Sequence, residues 1–121
     1  MNALLLIAHG SRNTEANQEI DQLARGVARY CSDQFDFVQH AYLEFADPDI
    51  AQGIQHCADK GAMSVTVIPY FLTAGNHVLR DIPAQIDLAR ITHAGMSIEL
   101  SAHIGAMEVM ASLVAQCAKA A

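Results

Sequence analysis

Four short apolar runs recur along the chain, each followed by a stretch with helical spacing, and this alternation limits the possible folds more than any other feature. The runs are Ala3 to Ala8, Phe35 to Glu44, Met63 to Phe71 and Met96 to Ala102. After each, apolar residues return every three or four positions: Ile20, Leu23, Ala24 and Val27, then Ile50, Ile54, Cys57 and Ala58, then Ile82, Ile86 and Ala89, then Met107, Met110, Leu113, Val114 and Cys117. Short apolar or alternating runs are strands, and a period near 3.6 is an amphipathic helix. Strands separated by helices pair through right-handed crossovers rather than hairpins. The expected fold is therefore α/β: a single doubly wound domain over residues 1–121, with a four-stranded parallel sheet flanked by helices.

The runs differ in ways that assign positions in the sheet. In the second, Phe35, Phe37, Gln39, Ala41 and Leu43 oppose Asp36, Val38, His40, Tyr42 and Glu44, and so polar a face suits an edge strand. The third is nearly continuous in apolar side chains, as expected of a central strand covered on both faces. Ser11 or Asn13 caps the first helix. Asp47-Pro48-Asp49 opens the second, with aspartate at the cap and proline at the first helical position, and Gly61 ends it. Pro83 disfavours an α conformation at Ile82, which predicts a distorted opening over residues 77–81 and a regular helix from about Pro83 to Thr92.

Composition narrows the function. The net charge is −6 with only seven Lys and Arg and no basic run, which argues against a nucleic-acid surface. No apolar run is long enough to span a membrane. The start MNALLLIAHG has neither a basic leader nor a small-residue cleavage site, so it is read as a first strand and the protein is expected in the cytoplasm. Cys31, Cys57 and Cys117 are odd in number, widely spaced and on predicted helices, which fits reduced core thiols.

All strands of a parallel sheet end on one edge, where open α/β sheets bind their ligands. His9 follows the first strand, Glu44 closes the second, His77 follows the third in the glycine-broken loop of IPYFLTAGNHVLRDIP, and His103 follows the fourth. Imidazole with carboxylate and no thiolate suits a loosely held borderline ion such as cobalt, iron, nickel or zinc. Arg12 and Arg80 each lie three residues from a candidate histidine, His9 and His77, and are placed to grip a carboxylate. Plainer readings stand beside these: His9 as a cap or a phosphate ligand with Ser11 and Arg12, Glu44 and His103 as solvated strand ends, His77 as an ordinary loop residue. His40, in mid-strand, His56, on a helix surface, and His93, at a helix C-terminus, are not assigned to the site.

LLLIAHGSR, AYLEFADPDI and IPYFLTAGNHVLRDIP resemble, in order and spacing, the motifs of the small members of the CbiX/SirB family, the class II tetrapyrrole chelatases. The resemblance implies a chelatase fold and insertion of cobalt, iron or nickel, as substrate and without an organic cofactor, into sirohydrochlorin or a close relative. It also implies catalytic roles for His9, His77 and Glu44, with His9 and His77 as metal ligands. Ser11, Arg12 and Arg80 are the expected substrate-binding residues. One-domain members of the family pair as homodimers, and a homodimer is expected here, with the tetrapyrrole between the subunits. Two other readings use the same residues. A non-enzymatic metal or tetrapyrrole carrier needs the same ligands without turnover, and a histidine phosphatase would show Arg-His-Gly where this chain has Ala8-His9-Gly10.

Overall fold

The computed structural model describes residues 1–121, the side chain of His77 excepted. Strands β1 (Asn2–Ala8), β2 (Phe37–Tyr42), β3 (Ser64–Pro69) and β4 (Ser97–Leu100) form one parallel sheet in the order β2-β1-β3-β4. Helices α1 (Thr14–Tyr30), α2 (Ile50–Asp59), α3 (Ile82–Thr92) and α4 (Val109–Ala120) follow the strands in turn. The expected parallel α/β architecture is present, with β2 at an edge and β3 inside.

Burial follows the two-residue period of the strands. Ala3, Leu5 and Ile7 of β1 face one way, with Ala41, Val65, Val67 and Ile98, and are covered by Ile50, Ile54 and Cys57 of α2 and by Ile82, Ile86 and Ala89 of α3. Leu4 and Leu6 face the other way onto Ala24 of α1, with Ile20, Leu23 and Val27 packed around them. Fully burying a Leu, Ile or Val contributes roughly 1.5–3 kcal/mol. Of the largest fully buried side chains, Leu5, Ile7, Ile50, Ile54, Ile82, Ile86, Val65, Val67 and Cys57 all belong to the α2/α3 side, so that side carries most of the core energy.

The helix starts follow their capping chemistry. Asn13 is the N-cap of α1 and accepts the Glu15 N–H at 2.9 Å, while the Ser11 hydroxyl accepts the Asn13 N–H at 3.0 Å. Asp49 caps α2 in a capping box with Gln52. Pro48 therefore precedes the cap rather than occupying the first helical position, and its peptide bond with Asp47 is cis. Gly61, at φ +94°, ends α2 as expected. A π-helical turn, His77–Asp81, leads into α3, which starts at Ile82 with Pro83 in its first turn, so Ile82 is helical after all.

Further expectations need correction. The second strand begins at Phe37, and Phe35 packs with Val38 on the α1 side instead of sharing a face with Phe37. β3 is not buried on both faces: Val65, Val67 and Pro69 are buried, whereas Ser64, Thr66 and Ile68 are half-exposed. The reason lies in α4, which buries none of its residues and leaves Val109, Leu113 and Val114 at 67%, 47% and 61% exposure. Its apolar stripe exists, yet it does not pack on the sheet of its own chain. Cys117, on α4, is therefore exposed; Cys31, at the end of α1, is half-buried, and only Cys57, on α2, is a core thiol.

Candidate active site at the carboxyl edge of the sheet

His9 comes immediately after β1, and hydrogen bonds that continue the sheet bring the end of β2 to it. Leu43 N–H donates to Ala8 O at 2.9 Å and Glu44 N–H to His9 O at 3.0 Å. Gly10 makes this approach possible: its φ is +92°, and a Cβ there would overlap the carbonyl oxygen of Glu44. Two loops far apart in sequence are thus clamped backbone to backbone, with a histidine on one and a glutamate on the other.

The side chains then face each other. His9 Nε2 is 3.8 Å from Glu44 Oε1, and the two side chains are 48% and 39% exposed. His9 Nδ1 lies 3.1 Å from Gly10 O. A carbonyl oxygen can only accept, so in the neutral ring the proton sits on Nδ1 and Nε2 turns its lone pair toward the carboxylate. At 3.8 Å the pair is too far apart for a direct hydrogen bond. A tetrahedral ion with bonds of about 2.1 Å separates two ligand atoms by roughly 3.4 Å. Only a small closing motion would therefore put both atoms on one cation. Among the described residues no group of three or more His, Cys, Asp or Glu side chains converges on a metal position.

Ser11 and Arg12 continue from His9. Asn17 holds this turn, since its Oδ1 accepts the Ser11 N–H at 3.0 Å and its Nδ2 donates to Ser11 O at 2.7 Å. Tyr42 in turn donates its hydroxyl to Asn17 O at 2.8 Å, and burial pushes its phenol above the usual range, with the Asp21 carboxylate adding to the rise. Arg12 is exposed, and its guanidinium carbon lies 4.9 Å from the centroid of the Phe45 ring. The same ring stands 6.1 Å from that of His9, tilted by 49°.

Arg80 and His103 follow β3 and β4, in the other half of the sheet. Arg80 is exposed in the turn His77–Asp81 after β3. The assignment of His77 as catalytic group and metal ligand falls on a side chain outside the described residues. His103 is half-buried at the start of a 3-10 turn, Ile104–Ala106, and that turn is tied to the loop after β3 by Gly105 N–H donating to Phe71 O at 2.9 Å. His40 lies apart from the site, with Nδ1 3.7 Å from Asp21 Oδ1 and its ring edge on Tyr42 at 5.4 Å. Burial holds its imidazole below the usual value and outweighs the opposing pull of Asp21, with Arg25 adding to the lowering.

Sequence reasoning missed two contributors, Phe45 and Asn17. Phe45 directly follows the candidate acid, where an aromatic in a polar loop was a usable signal. Asn17 lies one helical turn beyond the Asn13 cap and can reach back over the helix start, a spacing that carries the same information. Two apolar grooves lie elsewhere. One, of about 200 Å³, runs between α2 and α3 past Ala51, Ile54, Leu88 and Ala89; the other, of about 310 Å³, lies at the opposite end of the sheet beside Met63 and Met96. No helix among the described residues is long and apolar enough to cross a membrane.

The chain and its fold resemble known proteins. The sirohydrochlorin cobaltochelatase of Sulfurisphaera tokodaii is 31% identical over 114 residues, covering 94% of this chain and 88% of that protein. The sirohydrochlorin cobaltochelatase of Priestia megaterium is 34% identical over 108 residues, covering 89% of this chain and 34% of that protein. The crystal structure of the sirohydrochlorin chelatase SirB from Bacillus subtilis in complex with cobalt superposes with a TM-score of 0.83 at 28% identity, covering 98% of this chain and 50% of that one. The chain spans less than two thirds of the length of several curated relatives it matches. The family model described as CbiX matches residues 3–121, and with the fold in agreement, this chain belongs to the CbiX family.

Proposed function

We propose that this chain inserts a divalent metal, cobalt or iron and by the same chemistry nickel, into sirohydrochlorin or a closely related tetrapyrrole. The observation that carries the reading is the His9 Nε2 to Glu44 Oε1 pair, 3.8 Å apart at the carboxyl edge of the sheet. Metal insertion needs a cation held weakly enough to be released, and a base for the two pyrrole protons that leave. A half-exposed imidazole facing a carboxylate meets both needs, because its neutral form binds a metal or takes a proton and the carboxylate passes the proton on. His77 is assigned as the second metal ligand and base. Ser11, Arg12 and Arg80 are assigned to the substrate carboxylates, which a chain of net charge −6 would otherwise repel.

The working unit in this reading is a homodimer. A flat macrocycle needs two walls to bury both its faces, and a second copy of this chain would supply the second. The exposed apolar side chains of α4 support a second subunit. Free cysteines suit the reducing cytoplasm, where we place the protein.

The test is incubation with sirohydrochlorin and each metal while the absorption spectrum is followed. Substoichiometric protein accelerates insertion if the reading is right. Acceleration only in proportion to protein, with no turnover, would make the chain a carrier instead.

A further inference from the structure

Phe45 combines features that a solvated loop residue does not need. It is a large aromatic left 51% exposed, and its φ of 69° lies in the left-handed region, where a bulky side chain is strained. Such strain persists only where surrounding structure enforces it. Here the enforcement comes from Glu44, whose N–H bond to His9 O fixes the residue before it. The backbone thereby delivers the ring to a defined place, with the Arg12 guanidinium carbon 4.9 Å over it and the His9 ring 6.1 Å away. Glu44 and Phe45 on one loop thus meet His9 and Arg12 on the other, acid to imidazole and ring to guanidinium.

We propose that Phe45 is a positioning residue that acts through Arg12: its ring seats the guanidinium by cation–π attraction, so that the N–H fork is presented at a fixed offset from His9 for a carboxylate of the tetrapyrrole. Without a seat, a six-atom exposed side chain would sample many rotamers and lose that entropy again on each binding event. A stacked guanidinium keeps its in-plane N–H groups free for a bidentate carboxylate, since stacking uses the face of the fork and hydrogen bonding its edge. The ring therefore adds affinity and selects where the carboxylate sits relative to the metal-handling imidazole. The proposal deepens the chelatase reading and rests on it for the identity of the ligand.

The experiment is a double-mutant cycle read by binding of metal-free sirohydrochlorin and by KM and kcat for insertion. Phe45→Gly removes the ring at a positive φ that glycine adopts without strain, so the loop backbone need not be distorted. It should weaken binding by about two- to five-fold, the worth of an exposed cation–π contact, through KM with kcat held. Phe45→Tyr, which keeps the ring face, should restore the wild-type value. In an Arg12→Ala background Phe45→Gly should cost nothing further. Proton NMR supplies an independent readout: ring-current shifts of the Arg12 side chain in the free protein should vanish in Phe45→Gly. Undiminished binding by Phe45→Gly, an undiminished second loss in the Arg12→Ala background, or the lack of any ring-current shift would each overturn the proposal. Wild-type protein that binds sirohydrochlorin but never inserts metal would instead sink the chelatase reading and leave the pairing intact.

Discussion

In the proposed chelatase, His9 would handle a cation through one nitrogen only, because its two nitrogens have different partners. Nδ1 faces Gly10 O, which fixes the ring and its tautomer, and Nε2 is left to face Glu44. In the proposed function the imidazole is both ligand and base, so His9→Ala should lower metal insertion by about 10²-fold or more, the usual contribution of a positioned general base. The fold should survive, since the side chain is 48% exposed and outside the core. Glu44→Gln keeps shape and removes charge, and a smaller loss would identify the carboxylate as an orienting group rather than the base. Wild-type turnover from His9→Ala would remove this residue from the mechanism. A chemical check needs no substrate. Burial pushes the Cys57 thiol up to about 11, against a smaller lowering by Lys60, whereas Cys117 is exposed. Iodoacetamide at pH 8 should therefore label Cys117 in the folded protein and spare Cys57 until it is denatured, as peptide mass spectrometry would show. Equal labelling of both would contradict the packing of α2.

Between elements, the decisive contact is backbone to backbone where the turn after β1 meets the end of β2. Gly10→Ala must escape a left-handed φ and a clash with Glu44 O at once, so it should cost about 1–3 kcal/mol and lower insertion by separating His9 from Glu44. Unchanged melting and turnover would show that the clamp is not needed. β2 also carries a pH-dependent element. Burial holds the His40 pKa below that of the unfolded chain, so the unfolded state binds more protons as pH falls below about 6.5, and folding stability falls with it. Above that pH the contribution is fully present. His40→Gln should flatten the part of the stability profile between about pH 6.5 and the lower folded value, measured by denaturant titration against wild type. The strand and helix pattern made much of this scale legible. Ile54, Cys57, Ile82 and Ile86 were assigned inward from spacing alone and are fully buried. Spacing also placed His9 and Glu44 on one edge, because parallel strands all end there. It could not show that Phe45 stacks on Arg12 or that Asn17 ties down Ser11, since both depend on how loops cross. Nor could it show what covers an apolar stripe: α4 carries one as α2 does, yet no residue of α4 is buried within its own chain.

At the scale of the whole molecule, α4 and the half-covered sheet pose one question. Ser97 and Glu99 of β4 are exposed and Thr66 and Ile68 of β3 half-exposed, while Val109, Leu113 and Val114 of α4 face solvent. If the chain worked alone, charges on α4 would be ordinary surface substitutions, worth no more than about 0.5 kcal/mol, with no effect on turnover. If α4 lies in a homodimer interface, each copy would bury unpaired carboxylates in apolar surroundings, at several kcal/mol in total. The paired substitution Leu113→Asp with Val114→Asp separates these cases, because neither residue is buried in the single chain and local folding has little to lose. The expected result is a monomer by sedimentation at micromolar concentration, with insertion strongly reduced and partly recovered as protein concentration rises, as mass action requires of a weakened dimer. Leu113→Met with Val114→Ile should remain dimeric and active. A doubly charged variant that stays dimeric would place the interface elsewhere, and one that is monomeric yet turns over at the full wild-type rate would show that a single sheet edge is a sufficient site.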